Sequence, residues 1–93
     1  METATNSKTF PLGRLVITTD AAEALHRTDV HAALLRHAFG DWGEVCAADA
    51  AENELALTEG FHLQSAYTDR NGVAFWVVTE WDRSTTTVWL SED

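Results

Sequence analysis

The chain has 93 residues, 45% of them apolar, and its 15 acidic residues outnumber its six lysines and arginines, which gives a formal net charge of −9 at pH 7. This length suits one domain with a modest core, and the apolar fraction excludes wholesale disorder. The negative charge disfavours direct binding to DNA, RNA or anionic lipid, because all three are polyanions. The single cysteine excludes both an intramolecular disulfide framework and a CxxC-type zinc site.

The charge is concentrated in one part of the chain. Residues 1–36 hold four acids and four bases, whereas residues 37–93 hold eleven acids and two bases and therefore carry the whole net charge. Such a region attracts basic surfaces over about one Debye length, ~8 Å at physiological salt. A surface that serves only solubility is the alternative.

The start of the chain contains no recognisable targeting or membrane segment. Residues 1–10, METATNSKTF, lack the apolar segment of a signal peptide, and no apolar run approaches the ~18 residues of a membrane span. We therefore expect a cytoplasmic protein that does not contact membranes. Its polar residues 1–11 are expected to form a flexible tail, followed by a single α+β domain over residues 12–93.

One strand and two helices are predicted next. Residues 12–18, LGRLVIT, read as a strand, and Asp20 has the position of an N-cap for a short helix over residues 21–27. A second helix begins near Asp29, because apolar or small residues then recur at i, i+3, i+4, i+7 and i+8. This stripe consists of Val30, Ala33, Leu34, His37 and Ala38.

Residues 40–43, Gly-Asp-Trp-Gly, predict a turn that ends the second helix. Trp42 in its centre is expected to fill the gap between the helix ends and the sheet. The alternative is a recognition loop that presents Trp42 to a partner, because exposed loop aromatics often anchor interfaces.

A third helix, predicted over residues 47–59, has an acidic side. At ~100° per residue, three of its carboxylates fall within about 80° of one another. They belong to Asp49, Glu52 and Glu59. Ala51 and Leu55 lie beside this arc and are expected to face the core, whereas Asn53 either bonds to a neighbouring loop or is solvated. Gly60 ends the helix.

Residues 72–90, GVAFWVVTEWDRSTTTVWL, are the centre around which the domain is organised. β-branched and aromatic residues dominate them, and three of the four tryptophans lie there. We expect a central antiparallel strand over residues 73–82, with partner strands over residues 61–68 and 86–90.

The two connecting turns predict which residues lie opposite each other. The Asn-Gly turn at residues 69–72 pairs Tyr67 with Phe75, Ser65 with Val77, Leu63 with Thr79 and Phe61 with Trp81. A two-residue turn at Arg83-Ser84 pairs Trp81 with Thr86, Thr79 with Val88 and Val77 with Leu90. Because side chains alternate along a strand, Trp76, Val78 and Trp89 then share one face. Helices must cover one apolar face of this sheet, and the other is either covered or exposed.

The resulting element order, β-α-α-α-β-β-β, predicts an α+β fold. Three helices are expected to pack on a small antiparallel meander sheet, with the N-terminal strand at an edge.

Side chains suited to catalysis or metal binding are present but form no recognisable motif. The four histidines show no HxxxH or HxxE spacing, and Cys46 has no histidine near it in sequence. The chain also lacks a glycine-rich phosphate loop. We therefore expect no metal, no cofactor and no catalytic residue. A small hydrolase or transferase that depends on Cys46 or His62 is the remaining enzymatic alternative.

Several motifs together resemble a family of small bacterial proteins carried on plasmids, prophages and other mobile elements. They are LGRLVIT, GDWG, ENELAL followed by EG, SAY and NGVAFWVVTEWDRSTTTVWL, and they extend over roughly residues 12–91. The most specific are residues 40–43 and 79–87. The resemblance implies no catalytic residues, and Trp81 departs from the family pattern, in which a small residue is expected. As a class, small acidic mobile-element proteins also resemble anti-CRISPR and anti-restriction inhibitors, which place carboxylates where nucleic-acid phosphates would bind.

The leading hypothesis is a non-enzymatic inhibitor of a host protein that handles nucleic acid, such as a CRISPR effector or a restriction enzyme. It would bind the basic surface of that protein by negative-charge mimicry and an aromatic anchor, without binding nucleic acid itself. The expected contact residues are Asp41, Trp42, Glu44, Asp49, Glu52, Glu54, Glu59, Trp76 and Trp89. The alternative is a structural homodimer or adaptor that closes the tryptophan face against a second copy.

Overall fold

The computed structural model describes residues 10–91 and has the predicted α+β fold and element order. The elements are β1 (Arg14–Ile17), α1 (Thr19–Ala24), α2 (Arg27–Ala38), α3 (Ala47–Glu59), β2 (Leu63–Thr68), β3 (Ala74–Thr79) and β4 (Thr85–Leu90). The strands form one sheet in the order β1-β4-β3-β2. The meander β2-β3-β4 is antiparallel, and β1 lies at an edge as predicted, where it runs parallel to β4.

The β2–β3 hairpin has the predicted register, but its strands are shorter than predicted. They begin at Leu63 and end at Thr79, so the predicted pair of Phe61 with Trp81 is not formed. Tyr67 lies opposite Phe75, and Leu63 lies opposite Thr79. Gly72 in the connecting turn has a left-handed backbone with φ of 83°, which glycine adopts without a steric penalty. The local Asn-Gly signal was therefore sufficient to set this pairing.

The predicted register of β3 and β4 is wrong by two residues. The observed pairs are Phe75 with Leu90, Trp76 with Trp89, Val77 with Val88, Val78 with Thr87 and Thr79 with Thr86. The chain turns through a four-residue loop, residues 81–84, instead of the two-residue turn. Arg83 adopts the left-handed region (φ 63°) in this loop, and its N–H donates to the Glu80 carbonyl (2.9 Å). Because the shift is two residues, every strand side chain stays on its predicted face.

The helices cover one face of the sheet, and the main core lies between the two layers. The sheet contributes the buried side chains of Tyr67, Phe75, Val77 and Val88, and α1 and α2 contribute those of Ala21, Val30, Ala33 and Leu34. The stripe predicted on α2 is therefore the buried side of that helix. Each large apolar side chain removed from water in this way stabilises the fold by about 1.5–3 kcal/mol.

The first two helices begin at residues other than those predicted. The N-cap of α1 is Thr18, whose Oγ1 accepts a hydrogen bond from Ala21 N–H (3.2 Å). Asp20 instead lies in the first turn, where its carboxylate suits the helix dipole. The N-cap of α2 is His26, whose Nδ1 accepts from Thr28 N–H (3.3 Å). None of the helices in residues 10–91 is long and apolar enough to cross a bilayer.

The third helix has its predicted bounds but packs through a different side. Ala51 and Leu55 were expected to face the core, yet both are exposed, Leu55 by 54%. The buried positions are Asn53 and Ala56. The Asn53 amide donates to the Gln64 carbonyl (2.8 Å), and its oxygen accepts from Gln64 N–H (3.1 Å). Asn53 thus satisfies backbone groups at the outer edge of β2, which would otherwise be open to another strand.

A buried chain of hydrogen bonds crosses the core at His37. Thr86 Oγ1 donates to the Leu12 carbonyl (2.7 Å) and so accepts from Thr79 Oγ1 (2.7 Å). Thr79 must then accept from His37 Nε2–H (2.9 Å), which leaves Nδ1 to accept from the Ser65 hydroxyl (2.5 Å). His37 is therefore the neutral Nε2–H tautomer, and burial lowers its pKa to about 4.

The aromatic ring of Phe10 belongs to the folded domain rather than to the predicted tail. It stacks on Trp42 (centroids 6.2 Å apart) and meets His37 edge-on (5.2 Å). The Arg83 guanidinium lies 5.7 Å from its centroid. Residues 1–9 of the predicted tail lie outside the described residues.

Candidate functional site

The sheet face opposite the helices carries the predicted tryptophans. Trp76 and Trp89 lie directly opposite each other on β3 and β4, with Val78 on the same face. Trp89 is 42% exposed, and Trp76 and Val78 are half-buried. Neither of the described hydrophobic clusters includes these three side chains. The sequence alone did not determine which face of the sheet the helices cover. In the structure they cover the face that carries Phe75.

An open cavity of about 440 Å³ on this face is called the tryptophan groove. It is lined by His62, Gln64, Trp76, Val78, Glu80, Trp81 and Trp89. Trp81, which the hairpin loop carries beyond the end of β3, is 65% exposed. Trp76 is held in place by its Nε1–H, which donates to the Ser91 carbonyl (3.3 Å). Three of the seven lining residues are therefore tryptophans.

A second cavity of about 490 Å³, called the α3 groove, lies between α3 and the edge of β2. It is lined by Val45, Asp49, Glu52, Asn53, Leu55, Ala56, Phe61, His62 and Gln64. His62 and Gln64 line both grooves, so the two are adjacent. One continuous surface therefore runs from the acidic side of α3 to the tryptophan face.

The joined grooves are acidic. Asp49, Glu52 and Glu80 line them, whereas no lysine or arginine among residues 10–91 belongs to their lining. Neither of the ion pairs described within residues 10–91 involves these carboxylates. Glu59 is exposed two helical turns after Glu52 and extends the acidic side. Arg14 shares the outer face of the sheet, but it lies on β1, two strands or roughly 10 Å from β3.

Two of the predicted contact residues stabilise the interior instead. Trp42 is only 6% exposed, and its Nε1–H donates to the Glu54 carboxylate (2.9 Å). The structure confirms that Trp42 fills the space between helices and sheet, and the alternative of an exposed Trp42 anchor is wrong. Glu54 is the acceptor for that indole and is not one of the residues that line the α3 groove.

Two more predicted contact residues organise the loop between α2 and α3. Asp41 forms an ion pair with Arg36 (2.8 Å), which holds the pKa of the Asp41 carboxyl below its usual value. Asp41 also accepts from Gly43 N–H (3.1 Å). Glu44 accepts from the Thr68 hydroxyl (2.9 Å) and so links the loop to β2. Both carboxylates are exposed, but they already form hydrogen bonds or ion pairs within the fold.

The structure thus brings together only part of the predicted set. Asp49, Glu52, Trp76 and Trp89 line the joined grooves, and Glu59 extends them. The groove residues that the prediction missed include Phe61, His62, Glu80 and Trp81. For Glu80 a signal was present, because it shares the strand alternation of Trp76 and Val78. For Phe61 a signal was also present, because it directly follows Gly60 at the end of α3 and its N–H donates back to the Ala56 carbonyl (3.3 Å).

The described residues do not assemble a recognisable reaction centre. No group of three or more histidine, cysteine or acidic side chains in residues 10–91 could hold a metal ion. His37 and Ser65 are close enough for proton transfer, but both are 0% exposed, so a substrate cannot reach them. Cys46 is exposed at the N-cap of α3 and makes no capping bond with its side chain.

Comparison with family models, with curated proteins and with solved structures finds no match to the chain.

Proposed function

We propose that the protein is a small cytoplasmic inhibitor that binds a basic, nucleic-acid-handling host protein, with a CRISPR effector or a restriction enzyme as the target class. The observation that carries this proposal is the junction of the α3 groove and the tryptophan groove at His62 and Gln64. Carboxylates and exposed indoles, the two features expected to attract and then hold a basic protein, meet on one side of the molecule.

The charge of the joined grooves favours a basic partner. The carboxylates of Asp49, Glu52 and Glu80 form no ion pair with the described arginines. The Arg83 guanidinium lies at the border of the grooves, where it donates to the carbonyls of Phe61 and Glu80, so three carboxylates outnumber this one positive charge and leave the surface net negative. Such charges raise the association rate and select the partner more readily than they add net affinity. Trp89 and Trp81 supply the apolar contact, because a buried indole removes ~150–250 Å² from water.

The proposal is tested by phage plating on bacterial strains that each carry one CRISPR or restriction system. Expression of the protein is expected to restore plaque numbers on at least one strain to the level seen without its defence system. Unchanged plaque numbers across the whole panel, with the protein present in the cells, would contradict the inhibitor proposal.

Removal of the groove carboxylates is expected to slow binding to that target. The double variant Asp49→Asn/Glu52→Gln should associate about threefold to tenfold more slowly at low salt, and the difference should shrink as salt screens the charge. The chain contains a matched control, Asp20→Asn/Glu23→Gln on α1, with the same residue types, spacing and charge change. Stopped-flow association rates check the prediction, and equal slowing by both variants would reject a role for the grooves.

The second candidate function, a structural homodimer, is favoured by the uncovered tryptophan face. In such a dimer, Trp89 and Trp76 of one copy would pack against the same residues of the second copy. That contact would also bring two chains of charge −9 together. If it is correct, the protein sediments as a dimer at micromolar concentration and Trp89→Ala converts it to a monomer. The control is Leu35→Ala, which changes an apolar residue on α2 that is slightly more exposed than Trp89, 51% against 42%. The inhibitor proposal instead predicts a monomer for all three proteins.

A further inference from the structure

From the shape and chemistry of the tryptophan groove, we infer that it receives one arginine side chain of the basic partner. This inference rests on the proposed function in one respect, namely that the arginine belongs to the basic partner protein. The affinity of the groove for arginine is nevertheless measurable without any target enzyme.

The groove has an apolar part and an anionic end. Trp76 and Trp89 lie opposite each other, and Val78 follows them along β3. Glu80 lies four residues after Trp76, which corresponds to roughly 13 Å along an extended strand. A ligand that fills this groove must therefore be long, with an apolar stem and a positive head, which are the features of arginine and lysine side chains.

The rings of the groove are available to a cation. The described aromatic pairs involve other rings, so Trp76, Trp81 and Trp89 are not stacked on one another. The described stacked arginines, Arg36 and Arg83, lie over Tyr67 and Phe10 respectively. No arginine among residues 10–91 is therefore stacked on these three indoles, and Arg83 reaches this end of the groove only through hydrogen bonds to the carbonyls of Glu80 and Trp81.

Arginine fits this arrangement better than lysine. A guanidinium is planar and weakly hydrated, so it stacks on an indole while it donates two parallel hydrogen bonds to a carboxylate. Trp81 and Glu80 are neighbours at the same end of the groove and offer those two surfaces. An ammonium group would keep more of its water and could not bind the carboxylate through two parallel bonds.

The inference is tested by NMR titration of the full chain with the peptide acetyl-Gly-Arg-Gly-amide, observed through the four indole N–H signals. Matched peptides carry lysine or citrulline, the latter a neutral analogue of arginine with nearly the same shape. Trp42 provides an internal control, because its indole is buried and bonded to Glu54. We expect the arginine peptide to shift the signals of Trp76, Trp81 and Trp89, with a dissociation constant of roughly a few millimolar, and to leave Trp42 unchanged.

The variant Glu80→Gln should weaken arginine binding by about threefold or more, since it removes the charged acceptor. Equal binding of the citrulline peptide would overturn the inference, and so would equal binding of the lysine peptide or an equal shift of Trp42. The result also separates the two proposals. Arginine binding without inhibition of any defence system would contradict the proposed function alone, whereas inhibition without arginine binding would contradict only this inference.

Discussion

Acidification from pH 7 to pH 4 is expected to lower the free energy of unfolding by about 3 kcal/mol through the single residue His37. Burial lowers the pKa of the folded imidazole to about 4, and the charge of Arg83 acts in the same direction, against about 6.5 in the unfolded chain. Between these two values the unfolded state binds a proton that the folded state does not. The stabilisation is therefore complete above pH 6.5 and is lost as the pH falls toward 4.

The measurement is urea unfolding at pH 7 and at pH 4, with His37→Gln as the test variant. The glutamine side chain cannot titrate, so the variant's change between the two pH values should be smaller than that of the wild type by about 3 kcal/mol, even if the variant is less stable at both. The control is His62→Gln, which makes the same replacement at an exposed histidine outside the core. Below pH 4 both proteins should weaken further, because Arg70 holds the pKa of Asp29 at about 2 and protonation removes that ion pair. Identical pH dependence of wild type and His37→Gln would contradict the assignment.

Replacement of Arg83 by alanine is expected to destabilise the fold by about 1.5–3 kcal/mol, because four charged hydrogen bonds to carbonyls are lost, of which the one to Ala56 is partly buried. The Arg83 guanidinium donates to the Phe61 carbonyl (2.7 Å) and to the Ala56 carbonyl near the end of α3 (3.1 Å). It also donates to the carbonyls of Glu80 (3.1 Å) and Trp81 (3.2 Å) within its own loop. One side chain thus ties the β3–β4 loop to the last turn of α3, and the α3 groove lies beside this joint.

Three variants separate the side-chain contacts of Arg83 from its backbone strain. Arg83→Gly should be less destabilising than Arg83→Ala, by up to about 1 kcal/mol, because glycine adopts a φ of 63° without a steric penalty. Arg83→Lys should lie between wild type and alanine, since an ammonium cannot reach all four carbonyls. Arg70→Ala is the control and should cost under about 1 kcal/mol, because its ion pair with Asp29 is largely exposed. Thermal and urea unfolding check the order, and an Arg83→Ala protein as stable as Arg70→Ala would contradict the structural role.

Local signals in the sequence were sufficient where one short segment decides the structure. Gly60 and the N-terminal carboxylates placed α3 at its observed bounds, and the Asn-Gly turn set the β2–β3 register. The spacing of apolar residues in α2 gave its buried side, including His37. In each case the residues that determine the local structure lie close together in sequence.

The features that were predicted wrongly depend on contacts between segments that are distant in sequence. The length of the β3–β4 loop depends on Arg83 and its bonds to Phe61 and Ala56, which are 22 and 27 residues away in sequence. Leu55 was expected inside because it is apolar. The backbone edge of β2 instead requires a polar partner on α3, so Asn53 is buried and Leu55 is exposed. Polar satisfaction of a sheet edge outweighed side-chain hydrophobicity at this position.

The same distinction between local signals and long-range contacts explains which residues of the candidate site were predicted correctly. Trp76 and Trp89 were predicted because strand alternation is local, whereas the roles of Trp42 and Glu54 depend on a bond between two separate segments. A count of carboxylates on the sequence could not separate those that form bonds within the fold from those that line the grooves. The structure makes that separation, and it leaves Asp49, Glu52 and Glu80 in the joined grooves.

The central claim, that the joined grooves occupy the nucleic-acid site of a basic enzyme, is tested most directly by competition with DNA. The anisotropy of a labelled DNA bound to the enzyme identified by phage plating is followed as the protein is added, at low and high DNA concentrations. We expect the wild type and the Asp20→Asn/Glu23→Gln control to displace the DNA, with more protein required at the higher DNA concentration and a weaker effect from Asp49→Asn/Glu52→Gln. Simultaneous binding of protein and DNA to the enzyme would contradict the account. Displacement that requires the same protein concentration at both DNA concentrations would contradict it as well.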